Sequence, residues 1–209
     1  MTLIGYSGHA FVVYGILKAV NVSVDSYCDA VEKSYNPFNL AYLGTETTNE
    51  AIESLKNGCF ISIGNNGGRN QVYNYLSSKN ILPVNAIHPA AIIDSTVKIA
   101  NHAVMISAGV CINPLASINI GVICNTGCII EHECIIGAFA HIGPGAVLCG
   151  NVTIGEGSFV GAASVIKQGI TIGKNVIIGA GAVVVKNVGD NETVIGNPSR
   201  SFEKNIQIK

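Results

Sequence analysis

The sequence predicts two domains of different class: a small α/β domain with a Rossmann-like parallel sheet, followed by a parallel β-helix of short strands. Two observations carry this prediction. From Ile106 to Val184, mostly aliphatic residues recur at every sixth position without interruption. Before that stretch, short apolar segments alternate with helical patterns and end in glycine-containing turns, an order typical of a parallel sheet. We place the boundary after residue 87, which gives domains 1–87 and 88–209.

The six-residue repeat is the stronger observation, because fourteen consecutive repeats keep one phase. Neither a helix of period 3.6 nor an uninterrupted strand of period two produces this spacing. A solenoid does, since each six-residue face can supply one large and one small inward side chain while the coils stack at strand spacing. Two earlier repeats, 93–98 and 99–104, are shifted by one residue, which indicates a slip near Met105. The sixth positions are Ile106, Ile112, Ile118, Cys124, Ile130, Ile136, Ile142, Leu148, Ile154, Val160, Ile166, Ile172, Ile178 and Val184.

The first domain contains four predicted strands separated by helical segments. The strands are expected over 2–6, 22–28, 59–63 and 83–87, and the helices after Ala10, from about Thr47 and over 69–78. In such an order, ligands collect at the carboxyl ends of the strands. Those ends carry Ser7, Gly8, His9, Asp29 and Gly64.

The turn from Gly5 to Ala10 joins the first strand to the first helix. Free N–H groups of a helix's first turn converge there, so this turn is a candidate anion site. Ser7 stands where a dinucleotide fingerprint requires glycine, which favours a smaller nucleotide than NAD. The alternative, that Gly5 and Gly8 serve only a tight turn and Asp29 only ends a strand, stays open at this point.

Composition limits the classes of partner. Charged residues are 12% of the chain and the net charge is -1, so the sequence has no basic footprint for nucleic acid. No apolar run approaches the roughly 18 residues that a membrane span needs, and we expect a cytoplasmic protein without membrane insertion. With so few charges, part of the solenoid surface is expected to be buried in an oligomer.

The seven cysteines include no CxxC pair. Cys124, Cys128 and Cys134 fall at inward positions of the repeat, where a free thiol behaves as a small apolar side chain. We therefore expect these three to serve packing, and we expect no metal site.

A second chemical signal is Glu131-His132-Glu133. The repeat places these residues at a corner of the solenoid, between the inward residues Ile130 and Cys134. A carboxylate beside an imidazole fixes its tautomer and suits it to act as a general base, although a solvated corner histidine is the simpler alternative. His141 follows half a coil later, on another edge, so His132 and His141 are expected to meet only across a subunit boundary.

Four segments carry a resemblance to a known family: 4–9 (IGYSGH), 62–66 (SIGNN), 130–137 (IEHECIIG) and 195–198 (IGNP). On them the chain resembles hexapeptide-repeat acyltransferases, and within these the PglD-like subfamily that N-acetylates nucleotide-linked 4-amino sugars. The resemblance implies a left-handed β-helix and a homotrimer. It further implies acetyl-CoA as co-substrate, bound between adjacent β-helices, and a UDP-linked 4-amino-4,6-dideoxy sugar held by the first domain. The expected role is bacterial surface-glycan or glycoprotein sugar biosynthesis, such as that of bacillosamine.

The resemblance also implies residue roles. His132 is the general base and Glu133 the carboxylate that strengthens it. His141 and Gly150 lie near the thioester, where the Gly150 amide can stabilise an oxyanion. The remaining roles are for residues that line ligand sites: Ala162 and Ala180 for CoA, Ser7, Gly8 and His9 for the diphosphate or sugar, and Asp29 and Gly64 for the nucleoside.

Two departures from the subfamily pattern leave the nucleotide open among UDP, dTDP and GDP: Cys28-Asp29 replaces an acidic pair, and Gly67-Gly68 replaces bulkier residues. Two other functions also remain. One is O-acetylation of a sialic-acid-like sugar, and the other is a non-catalytic nucleotide-sugar-binding protein that kept the fold.

Overall fold

The first domain is a four-stranded parallel sheet with three helices in the computed structural model, which describes residues 1–202. The strand order is β3-β2-β1-β4. The strands are β1 (Thr2–Ile4), β2 (Ser26–Cys28), β3 (Ala41–Tyr42) and β4 (Cys59–Ile61). The helices are α1 (Gly8–Ala19), α2 (Asn49–Lys56) and α3 (Asn66–Ser78). Strand β1 lies between β2 and β4, so strands are added first on one side of β1 and then on the other, and the strand order reverses there.

The sheet contains one strand that was not predicted and lacks one that was. Strand β3 was not predicted, because its two residues carry no alternating apolar pattern. The strand predicted at 83–87 is wrong as a member of this sheet: β5 (Ala86–Ile87) pairs with β8 (Met105–Ile106) in the solenoid. The reason is periodicity, since Ile87 stands six residues before Ile93 and begins the inward column one repeat earlier. The domain boundary after residue 87 stays a prediction.

The second domain is a three-sided parallel β-helix whose sheets we name by their outward faces. The docking sheet contains β5, β8, β11 (Ile123–Cys124), β14 (His141–Ile142), β17 (Phe159–Val160), β20 (Ile177–Ile178), β22 (Thr193–Ile195) and β23 (Arg200–Ser201). The apolar sheet contains β6 (Ile92–Ile93), β9 (Cys111–Ile112), β12 (Ile129–Ile130), β15 (Val147–Leu148), β18 (Val165–Ile166) and β21 (Val183–Val184). The polar sheet contains β7 (Lys98–Ile99), β10 (Ser117–Ile118), β13 (Ile135–Ile136), β16 (Thr153–Ile154) and β19 (Thr171–Ile172).

The interior of the solenoid is the column of sixth-position residues, which are buried as predicted from Ile106 to Val184. Cys124, Cys128 and Cys134 are buried in the same core, which confirms their packing role. Ile87 pairs with Ile106, whereas Ile106 pairs with Cys124, so the first coil is one residue longer than the next. The extra residue falls between strands β7 and β8, where the sequence predicted the slip.

The two domains share one apolar core across the docking sheet. Outward residues Met105 and Ile123 of this sheet are buried against the cluster that contains Leu3 and Leu17 of the first domain. Fully buried Arg69 on α3 adds polar contacts: its Nε donates to the Gly121 carbonyl at 2.7 Å and its guanidinium to the Phe139 carbonyl at 2.8 Å. The first domain is therefore fixed against the lower coils of the docking sheet. Among residues 1–202, no helix has the length and apolarity needed to cross a membrane.

Candidate active site

A cavity of about 450 Å³ opens at the carboxyl ends of β1, β2 and β4. Such a position, where the chain order reverses, is the usual ligand site of an open parallel sheet. Three of the predicted nucleotide-site residues, Ser7, Asp29 and Gly64, line this cavity together. The structure thus brings them to one place, as the strand order requires.

The turn before α1 forms one wall of the cavity. Gly5 has φ +85°, and a Cβ there would lie 2.6 Å from Ile63 Cγ1, so glycine is required. Ser7 is the N-cap of α1, but its side chain makes no capping hydrogen bond. A Cβ added at Gly8 would meet nothing within 4 Å, so the space above the first turn is open. The helix N-terminus with its free amides is therefore accessible to an anion.

Asp29 is held firmly before any ligand binds. Its carboxylate accepts hydrogen bonds from the Tyr6 N–H at 2.8 Å and the Ala30 N–H at 2.7 Å, and it pairs with Lys33 at 3.0 Å. Burial raises the pKa of Asp29, but these contacts outweigh it and leave the pKa below its ordinary value. Asp29 is thus a fixed anion directly after the carboxyl end of β2, with Lys33 beside it.

His9 and His141 meet where the two domains join. Their ring centroids are 6.1 Å apart, and His141 is 8% exposed. His141 Nε2 contacts the Asn125 side-chain amide at 3.1 Å, while His141 Nδ1 and His9 Nε2 are buried without a partner among the described residues. Burial lowers the pKa of each histidine to about 4, and the charge of Arg69 adds to the effect. Both rings are therefore neutral at ordinary pH.

His132 lies at the corner between the apolar and polar sheets, with a half-exposed side chain. Its Nδ1 is 3.1 Å from a carboxylate oxygen of Glu133, which adopts φ +60° at the turn. Gly150 lies one coil further on, and a Cβ there would overlap the His132 ring. The structure thus brings His132, Glu133 and Gly150 together, with the outer side of the imidazole open to solvent.

The remaining predicted cofactor residues lie on a different edge of the same chain. Ala162 and Ala180 stack on neighbouring coils at the corner between the docking and apolar sheets, where the Ala162 carbonyl accepts from the Gly181 N–H at 2.8 Å. They lie across the apolar sheet from the corner of His132. The apolar sheet lies between these two edges of the chain. His141, which was predicted on an edge, lies instead in strand β14 of the docking sheet.

Sequence reasoning assigned no role to three residues that line or support these sites: Asn125, Arg69 and Glu46. Asn125 was open to prediction, because the eighteen-residue coil places it beside Gly143 and so close to His141. Arg69 was expected only as the start of a helix, because no sequence pattern predicts that it donates hydrogen bonds to carbonyl groups of the solenoid. Glu46 lies in the loop after the unpredicted strand β3. Among residues 1–202, no group of three His, Cys, Asp or Glu side chains is arranged to hold a metal ion.

Two family models match the chain. The one described as bacterial transferase hexapeptide (six repeats) matches residues 133–168 and 151–186, and the PglD N-terminal domain matches residues 1–76. One model matches within each domain.

Solved structures are similar over almost the whole chain. PerB from Caulobacter crescentus, in complex with CoA and GDP-perosamine, is 33% identical with a TM-score of 0.89, covering 97% of this chain and 96% of that chain. The acetyltransferase domain of PglB from Neisseria gonorrhoeae, in complex with acetyl coenzyme A, is 29% identical with a TM-score of 0.87, covering 96% and 98%. WeeI from Acinetobacter baumannii, at 23% identity, TM-score 0.81 and coverage of 96% and 98%, shows likeness in fold alone.

The chain therefore belongs to the hexapeptide-repeat transferases, in the group of sugar N-acetyltransferases with a PglD-type first domain. Its solenoid is accordingly a left-handed β-helix. The protein is an acetyl-CoA-dependent enzyme. The fold class, the family and the co-substrate predicted from the sequence are confirmed.

Proposed function

We propose that this enzyme transfers acetyl from acetyl-CoA to the C4 amine of a nucleoside-diphosphate-linked 4-amino-4,6-dideoxy sugar. The observation that carries the proposal is the corner at His132: an open imidazole with one ring nitrogen on Glu133 and the other ring edge against Gly150. That arrangement can take a proton from an incoming amine and offers a main-chain N–H beside it. The similar PerB structure holds CoA together with GDP-perosamine, an amino sugar on a nucleotide.

The reaction follows from the residues at this corner. The sugar amine attacks the thioester carbon, and His132 accepts the proton that the amine loses. The carbonyl oxygen becomes an oxyanion, which the Gly150 N–H stabilises. As the tetrahedral intermediate collapses, the C–S bond breaks, the amide remains on the sugar, and the CoA thiolate takes up a proton. Glu133 is the residue that holds the imidazole in the tautomer that this step needs.

The first domain supplies the sugar-nucleotide site in this proposal. The diphosphate would lie over the first turn of α1, where Ser7, Gly8 and His9 present free amides and Lys33 adds a positive charge. Asp29 and Gly64 line the part of the cavity nearer the nucleoside. UDP as the carrier, the position of the amine and the cytoplasmic location stay predictions.

A homotrimer completes the site in this proposal. The outward residues of the apolar sheet form a column that we name the apolar column: Ile92, Cys111, Ile129, Val147, Val165 and Val183. On the polar sheet the equivalent positions are mostly Lys, Ser or Thr. A second copy that covers the apolar column would reach the corner of His132, because the apolar sheet ends there. His132, His141, Ala162 and Ala180 could then contact one acetyl-CoA between two chains.

The test is acetyl transfer by the purified full chain. Acetyl-CoA is supplied with UDP-, dTDP- and GDP-linked 4-amino sugars, and with a 4-hydroxy sugar on the same nucleotide as the matched control, and CoA release is measured. The proposal predicts CoA release with an amino sugar and none above background with the hydroxy sugar. Faster release with a hydroxyl acceptor would favour O-acetylation, and no release with any acceptor would favour a binding protein without catalysis.

A further inference from the structure

We infer that Glu46 reads the nucleobase of the substrate and selects guanine. The inference rests on the proposed function, and it differs from the UDP carrier that the sequence resemblance implies. It starts from the position of Glu46, which lines the same cavity as Ser7, at the edge formed by β2 and the loop after β3.

The loop that carries Glu46 is fixed by hydrogen bonds on both sides. The Asp29 N–H donates to the Gly44 carbonyl at 3.0 Å, and the Thr48 N–H donates to the Thr45 carbonyl at 3.1 Å. Thr48 then caps α2, with its side-chain oxygen accepting from the Ala51 N–H. Glu46 is thus presented from an ordered turn between two anchored residues.

The carboxylate of Glu46 is free for a ligand. Within residues 1–202 it makes no hydrogen bond and no ion pair, although it is half-buried in the cavity wall. Its neighbour Asp29 differs, because Tyr6, Ala30 and Lys33 already occupy that carboxylate. Cys28 lies below, and its pKa is raised to about 12 by burial and by the charge of Glu46. Glu46 is therefore the anion of this cavity that still has its acceptors available.

A free carboxylate here suits one end of a nucleotide and not the other. The diphosphate is repelled by it and belongs over the first turn of α1, which follows β1, two strands away from the loop after β3. Free amides attract an anion there. The base is then the part of the ligand that reaches Glu46. The bases differ in the donors on their edges, so a carboxylate can discriminate among them.

Guanine fits a carboxylate best, because its N1–H and N2–H₂ donors lie side by side and can bond both oxygens. Uracil offers a single N3–H between two carbonyl oxygens, which repel a carboxylate. Cytosine and adenine each place an acceptor next to their amino group. The chemistry of Glu46 therefore selects guanine by attraction and the other bases by repulsion.

The test measures the affinities of GDP, UDP and CDP for the full-length chain by calorimetry, for the native sequence, Glu46→Gln and Glu50→Gln. Glu50 is an exposed residue of the first turn of α2 outside the cavity wall, and its substitution is the matched control. Native protein should bind GDP more tightly than UDP or CDP, by about 5- to 150-fold, the range expected for a two-bond base contact. Glu46→Gln should lose most of that preference, while Glu50→Gln keeps it.

Tighter binding of UDP than of GDP would overturn the inference, as would an equal loss for all three nucleotides in Glu46→Gln. Acetyl transfer to a GDP-linked amino sugar that Glu46→Gln leaves unchanged would also overturn it, while the proposed function stands. Glu46-dependent GDP binding without any acetyl transfer would support the inference and contradict the proposed function.

Discussion

At the scale of single residues, Gly150 and His132 depend on each other. The His132 ring occupies the space that a side chain at position 150 would fill, so glycine is what allows the imidazole and the residue 150 amide to share one corner. The chemistry proposed for this corner therefore depends on the space around the ring as well as on its charge. A substitution at Gly150 should therefore change the measured kcat.

Gly150→Ala should displace the His132 ring and lower kcat by at least about tenfold, because catalytic groups lose rate steeply when they are moved by an ångström. Gly15→Ala is the control, since a methyl there meets nothing within 4 Å. Steady-state kinetics and circular dichroism of both variants check the prediction. Wild-type kcat in Gly150→Ala would show that the ring does not act from this position.

The paired histidines at the domain junction predict a pH dependence of stability. The pKa of His9 and of His141 is about 4 in the folded chain, below the ordinary value of 6.5. Between these two values the unfolded chain binds more protons than the folded chain. The two neutral histidines should therefore contribute their full share of the free energy of unfolding above about pH 6.5. This contribution should fall as the pH falls towards 4.

Urea unfolding between pH 4 and 7 measures this dependence. The slope should correspond to about two protons for the native chain near pH 5 and about one for His9→Asn, because one depressed site is removed. His102→Asn is the control at a histidine outside the junction. An unchanged slope in His9→Asn would contradict the assignment of this pH dependence to the pair.

At the scale of elements, α3 joins the domains through Arg69. Its guanidinium donates to carbonyls of Gly121 and Phe139 on the solenoid, to those of Ile63 and Gly64, and to the Asn66 side chain. No carboxylate is among these partners. The N-cap of the same helix is Asn65, whose side chain accepts from the Gly68 N–H at 2.8 Å and fixes the first turn.

Arg69→Lys should lower the free energy of unfolding by about 2–4 kcal/mol, because lysine keeps the charge but cannot serve all five acceptors. Arg200→Lys, at an exposed position, is the control. Denaturant unfolding monitored by circular dichroism gives both values. A loss below about 0.5 kcal/mol would mean that the carbonyls find other donors and that Arg69 is not the main clamp.

The solenoid could be predicted almost completely from the sequence, and the junction could not. Each coil repeats the same six-residue pattern, so the spacing alone predicts that the sixth-position residues from Ile106 to Val184 are buried. The slip near Met105 was visible for the same reason. Strand β3 and the contacts of Arg69 depend on neighbours distant in the chain, and no local pattern encodes them. The repeat predicted that His132 lies at a corner. Ala162 and Ala180 lie at a different corner, between the docking and apolar sheets.

At the scale of the whole molecule, the apolar column predicts assembly. Val147 lies in the middle of the column and points outward, so Val147→Lys should fold but should not assemble. Activity should fall with assembly, since the site would be shared between chains. Thr171→Lys, outward on the polar sheet, is the control. Sedimentation equilibrium and kinetics at one concentration check this, and a fully active monomer of the native chain would contradict it.

The central claim is that His132 acts as the general base while acetyl passes directly from acetyl-CoA to the amine of a nucleotide sugar. The most direct measurement identifies the sugar product by NMR and mass spectrometry and compares kcat of the native chain with that of His132→Ala. We expect an N-acetyl group at C4, CoA formed in equal amount, and a kcat about 10²- to 10⁴-fold lower in the variant, the range for a positioned general base. His102→Ala should retain native activity. An unmodified amine in the native reaction, or more than about a tenth of native kcat in His132→Ala, would contradict the claim.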